Sequence, residues 1–98
     1  MWRHGDVLIT STASLPSGAR LRPSVVLAYG EITGHSHRVK DPRTAEVWEQ
    51  GGMLFLKVVA DQAMIVHEEH KPIVLERGLY RVWMQREYTP QAIRRIID

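Results

Sequence analysis

Apolar and polar residues alternate along this chain in short stretches that glycine and proline turns separate. Period-two alternation of this kind is typical of β-strands. It predicts strands over residues 6–10, 25–33, 37–40, 45–50, 53–59, 63–67, 73–75 and 79–88. The Gly51-Gly52 pair between two apolar runs predicts a hairpin, because glycine adopts positive φ without steric cost.

The end of the chain has a different pattern. The longest predicted strand, residues 79–88, places Tyr80 and Val82 on one face. Thr89-Pro90 then fits a helix N-cap followed by proline, and isoleucines recur after it at helical spacing. We therefore expect a mostly β fold, a small β-barrel or sandwich, with a short C-terminal helix. Closure into a barrel is favoured because it removes exposed strand edges.

Composition narrows the class of protein. The 98 residues predict a single domain over 1–98. The absence of cysteine excludes a disulfide framework, an iron–sulfur cluster and a cysteine nucleophile. No apolar run approaches the roughly 18 residues of a membrane helix, and the first residues lack the apolar core of a signal peptide. We expect a cytoplasmic protein with no membrane contact.

Four of the five histidines fall in two clusters, Gly34-His35-Ser36-His37-Arg38 and His67-Glu68-Glu69-His70. In an extended segment, His35 and His37 point to the same face. The second cluster follows a predicted strand and precedes Pro72, which favours a bend there. His70 therefore need not face the same way as His67.

One interpretation of the clusters is a metal site. The His-x-His pair resembles the first metal-binding motif of cupins, which are β-barrels. The acidic residues that follow, Asp41 and Glu46, depart from the cupin spacing. A site on four histidines would suit a divalent metal such as zinc, iron or manganese. Its ligands would be His35, His37, His67 and His70.

The leading interpretation needs no cofactor. RNA carries its own nucleophile, so a protein has only to move protons and stabilise phosphate charge. Here His35 and His37 are the acid–base candidates, Arg38 is the phosphate partner, and His67 and His70 form a second catalytic or binding pair. The positive charge of Arg38 also disfavours metal loading. The expected substrate-binding residues are Thr33, Ser36, Lys71, Arg86 and Tyr88.

Four motifs spread over the chain resemble a family of small bacterial and phage proteins. They are Gly5-Asp6-Val7-Leu8-Ile9, the segment from Gly30 to Arg38, His67-Glu68-Glu69-His70, and the segment from Gln85 to Pro90. The chain also resembles CRISPR-associated ring nucleases, which degrade cyclic oligoadenylate messengers as homodimers without metal. That resemblance implies a homodimeric phosphodiesterase that cleaves RNA or a cyclic oligonucleotide. The remaining alternative is a non-catalytic module that binds nucleic acid or a partner protein.

Overall fold

A computed structural model describes residues 1–29 and 34–85, which form eight β-strands. They are β1 (Trp2–His4), β2 (Val7–Ser11), β3 (Arg20–Leu21), β4 (Val26–Tyr29), β5 (Ser36–Val39), β6 (Ala45–Gln50), β7 (Met53–Val66) and β8 (Ile73–Met84). The prediction of a mostly β fold is confirmed. The part of the chain that the structure describes contains no helix long and apolar enough to cross a membrane.

All eight strands belong to one antiparallel sheet. Its main path runs β1-β2-β8-β7-β5-β4, and β6 pairs with β7 and carries β3 at its other edge. Within residues 1–29 and 34–85 the sheet does not close into a barrel, because no backbone ladder joins β1 to β4 or β5. The sheet curls nonetheless. Three strands, β2, β8 and β7, lie between β1 and β5 in the sheet, yet a side chain of β1 forms a hydrogen bond with a side chain of β5.

Two strands are much longer than the alternation predicts. β7 runs through the gap between the strands predicted over 53–59 and 63–67, and β8 runs through Arg77-Gly78, where the sequence predicts a turn. The two strands pair from Leu54 opposite Val82 to Ile65 opposite Ile73. The register shifts between Val58 and Gln62, which marks a bulge. The bulge bends β7, so its first half pairs with β6 and its last residues pair with β5.

The core covers one face of the curled sheet. Ile9 of β2 lies opposite Val82 of β8, and Leu56 of β7 lies opposite Tyr80. All four side chains are buried, so the face that alternation assigns to Tyr80 and Val82 is the one that packs in the core. The Gly51-Gly52 hairpin is also confirmed, with Gln50 and Met53 paired across it. The predicted C-terminal helix and the end of the second predicted strand lie outside the described residues.

Candidate functional site

All five histidines of the chain converge on one place. His67 lies at the centre, with ring centroids 4.3 Å from His37, 4.7 Å from His70 and 5.6 Å from His35. The ring of His4 lies 4.9 Å from that of His37 and 5.6 Å from that of His70. The two clusters separated in the sequence are therefore one cluster in the fold, with a fifth member from β1.

Strand pairing brings the first two clusters together. β5 and β7 are antiparallel, with Arg38 opposite Val66. Continuing this register by one residue places His37 opposite His67, at the end of the ladder. The chain bends directly after His67, before Pro72, and the bend carries His70 back toward the same site.

The turn between β1 and β2 supplies a close-packed wall of the site. Gly5 has φ +63°, and a Cβ atom there would lie 2.6 Å from Nε2 of His70 and 3.0 Å from Cε1 of His37. Only glycine combines this backbone conformation with the space that the two rings require. Gly5 therefore sets how near the histidines approach the turn.

His4 and His37 share a hydrogen bond between their Nδ1 atoms, which lie 2.8 Å apart. One nitrogen must donate and the other accept, so at least one ring is neutral. When His37 donates, its Nε2 keeps a lone pair, and that nitrogen is available as a metal ligand. Nε2 of His4 is buried, and no atom of the described residues meets the distance and angle criteria for a hydrogen bond with it. The Lys71 backbone nevertheless acts to raise the pKa of His4, against the larger effect of burial.

Burial and mutual repulsion keep these rings neutral. Burial, together with repulsion from His67, His4 and His70, lowers the pKa of His37 to about 4. The pKa of His4 is also lowered, first by burial and then by His70. A neutral imidazole carries the lone pair that a metal ion or a proton acceptor requires. At neutral pH, His37 is therefore a base or a ligand and is not a proton donor of ordinary strength.

Ring nitrogens of His37, His67 and His70 all lie within 4.8 Å of one another. A single ion would contact all three at metal–nitrogen distances of about 2.0–2.1 Å once the rings approach one another more closely. The potential ligand atoms of a second group, His35, His67 and Glu68, also lie within 4.8 Å of one another, and this group shares His67.

His67 has a hydrogen bond that bears on metal binding. Its Nδ1 accepts the backbone N–H of Glu69 at 3.0 Å, so the proton of the neutral ring lies on Nε2. Coordination through Nδ1 would displace this N–H, and coordination through Nε2 would require the proton to leave that atom. Metal binding at His67 is therefore coupled to a local change at Glu69.

Arg38 does not face the site as a free cation. Its Nη1 lies 2.9 Å from Oε2 of Glu68 and donates to the backbone oxygen of Ser36 at 2.8 Å. Oε1 of Glu68 accepts the Ser36 N–H at 3.0 Å, and this hydrogen bond lowers the pKa of Glu68. The expected objection to a metal, the charge of Arg38, is thus offset by a neighbouring carboxylate.

Of the other predicted site residues, three lie at or beside the histidine cluster and three are outside the described residues. His35 is half-buried, with Nδ1 3.3 Å from Oε1 of Glu69. Ser36 is buried at the start of β5, and Lys71 is exposed beside the bend. Thr33, Arg86 and Tyr88 lie outside the described residues.

Sequence reasoning missed His4 as a site residue. It is isolated in the sequence and lies in a strand of three residues. Its position directly before the Gly5-Asp6 turn is the local signal, because such a turn folds β1 back onto β2. Its contact with His37, which depends on the curl of the whole sheet, is not visible in the sequence.

Fold and site together define a mostly β protein whose curled sheet carries a cluster of imidazoles, from the buried His4 and His37 to the exposed His70. The chain belongs to the family DUF8820, a domain of unknown function, whose model matches residues 3–85. That range includes all five histidines. The comparisons with curated proteins and with solved structures give no match.

Proposed function

We propose that this protein is a metal-dependent enzyme of the hydrolytic class, with a divalent transition-metal ion of the zinc type held by His37, His67 and His70. The observation that carries the proposal is that the three ring nitrogens lie within 4.8 Å of one another. Three histidine nitrogens with one open position form a donor set typical of catalytic zinc, which lowers the pKa of bound water. The absence of cysteine supports a cytoplasmic setting for such a site.

The energetics of the cluster support a cation shared among the rings. Protonating several adjacent imidazoles is unfavourable, which the lowered pKa of His37 reflects. One divalent ion instead satisfies several lone pairs with a single charge centre. His4 supports this arrangement from outside: in the tautomer in which its Nδ1 accepts the Nδ1 proton of His37, Nε2 of His37 is the ligand atom.

Zinc binding by the EDTA-treated, dialysed full chain tests the proposal. We expect one zinc per chain, and we expect His67→Ala to weaken binding by at least about a hundredfold. His35→Ala is the matched control, because it removes a histidine from the cluster but none of the three proposed ligands. Equal affinity of the wild-type chain and His67→Ala for zinc would reject the site.

A metal-independent phosphodiesterase is the second candidate, and the pair of His35 and Glu69 favours it. The carboxylate lies 3.3 Å from Nδ1 of the half-buried imidazole, an arrangement that orients a ring for proton transfer. In this function His37, neutral at pH 7, acts as a base. The substrate is an RNA-type phosphodiester, including cyclic oligoadenylate.

A panel of linear RNA and cyclic oligoadenylates, incubated with and without EDTA, separates the two candidates. Cleavage that persists in EDTA and is lost in His35→Ala supports the second candidate. Cleavage that requires added zinc and is lost in His67→Ala supports the first. Binding without turnover in either condition would instead support a non-catalytic module.

A further inference from the structure

The carboxylate of Glu68 occupies an arrangement of donors that is built for an oxyanion. The backbone N–H of Ser36 donates to one oxygen at 3.0 Å, and Arg38 Nη1 lies 2.9 Å from the other. The same Nη1 bonds the backbone oxygen of Ser36 at 2.8 Å and its Oγ at 3.2 Å, which holds the guanidinium against β5. We call the Ser36 N–H and the Arg38 guanidinium the oxyanion cradle.

The cradle adjoins the histidine cluster directly. A carboxylate oxygen of Glu68 and ring nitrogens of His35 and His67 lie within 4.8 Å of one another. Any anionic group that replaced the Glu68 carboxylate would therefore lie next to His67, a proposed metal ligand. A substrate held there would lie beside the residues that would hold the proposed metal ion.

The two sides of this contact differ in rigidity. Ser36 is buried and belongs to the β5 ladder, so its N–H is fixed. Glu68 lies in the bend between β7 and β8, with about a third of its side chain exposed (32%). An ion pair at this exposure adds little stability. The carboxylate can therefore leave while the cradle stays in place.

We propose that the cradle is the substrate-recognition site for an oxyanion, a phosphoryl or carboxylate group, and that Glu68 covers it until such a group displaces it. This inference rests on the proposed metal-dependent function for its role in catalysis, but the cradle itself requires no metal. A backbone N–H beside a planar guanidinium fork matches the oxygens of phosphate and carboxylate alike.

Calorimetric titration of the EDTA-treated full chain with inorganic phosphate, and separately with acetate, tests the cradle. We expect Glu68→Ala to raise the affinity for at least one of the two anions about tenfold, which corresponds to a cradle that Glu68 fills about 90% of the time. Glu69→Ala is the matched control, since it removes the same charge one residue away and leaves the cradle filled. Its affinity should stay within about twofold of the wild type.

Two further variants complete the test. Glu68→Gln, which keeps the size of the side chain, should give a gain in the same direction if the alanine variant folds poorly. Adding Arg38→Gln to Glu68→Ala should abolish the gain. A larger gain for phosphate assigns a phosphoryl substrate, and an equal or larger gain for acetate assigns a carboxylate substrate.

Equal changes in Glu68→Ala and Glu69→Ala would overturn the proposal, because general electrostatics would then explain the gain. Persistence of the gain without Arg38 would overturn it as well. Because these titrations contain no metal, a failure here leaves the zinc result untouched. A failure to bind zinc likewise leaves this result untouched.

Discussion

Substituting Gly5 by alanine tests whether the packing of the β1–β2 turn sets the geometry of the histidine site. The added Cβ would lie 2.6 Å from Nε2 of His70, whereas ordinary contact begins at 3.4 Å. The ring must therefore shift by about 0.8 Å (3.4 − 2.6), and a shift of that size opposes the closer approach of the three rings that a shared ion requires. We expect zinc affinity to fall by about ten- to a hundredfold or more, the range seen when support of a ligand is lost.

The assay is a zinc competition titration alongside urea unfolding, with Gly51→Ala as the matched control. Gly51 has φ +56°, close to the +63° of Gly5, but a Cβ there would meet no atom within 4 Å. Both variants should lose roughly 1–2 kcal/mol of stability from the strained backbone. Only Gly5→Ala should lose zinc affinity. Equal zinc affinity of the two variants would refute the reasoning.

Three further predictions concern the same cluster. Stability of the metal-free chain should fall as the pH drops from about 6.5 to about 4, because the unfolded chain takes up a proton that folded His37 (pKa about 4) does not. The difference of about 2.5 pKa units between unfolded and folded His37 limits the loss of unfolding free energy to about 3 kcal/mol, and solvent screening reduces it to about 1–2 kcal/mol. If urea unfolding shows the same pH dependence for the wild type and for His37→Gln, the prediction is wrong. Replacing His4 by leucine should weaken zinc binding about ten- to a hundredfold, since Nδ1 of His37 loses its hydrogen-bond partner. His4→Asn should restore much of the lost affinity. Equal zinc affinities of the wild type and His4→Leu in a zinc titration would exclude this supporting role of His4. In a zinc titration followed by nuclear magnetic resonance, the Glu69 amide should be among the most shifted signals, because its N–H bonds His67; an unmoved Glu69 signal would contradict coordination at His67.

Local signals predicted the parts of the fold that depend on local backbone preference. The Gly51-Gly52 hairpin follows from glycine's access to positive φ, and the shared face of Tyr80 and Val82 in β8 follows from alternation. The Arg77-Gly78 pair, which reads as a turn, lies instead inside β8. Pairing with β7 over most of its length overrides the local preference, and the register shift accommodates the irregularity.

Barrel closure was not predictable from alternation. Alternation shows that one face is buried, but it does not show whether the last edge finds a backbone partner. Here β1 meets β5 through the His4–His37 hydrogen bond instead of a strand ladder. The same contact explains why His4 was missed: its role depends on the curl of the sheet.

The candidate site was partly visible in the sequence. The His-x-His spacing and the second cluster identified four of the five converging histidines. Their chemistry was less visible, because the sequence presents Arg38 as a free cation beside His37. The structure places Glu68, from 30 residues further along the chain, against that guanidinium. This long-range ion pair shifts the balance from a metal-free site toward a metal site.

The most direct test of the metal centre is an anomalous difference map from crystals of the full chain grown with zinc. We expect a single strong peak per chain at about 2.0–2.1 Å from one nitrogen each of His37, His67 and His70. Crystals of His67→Ala grown in the same way should lack it. A wild-type map with no peak among these three rings, or with zinc bound only elsewhere, would contradict the account.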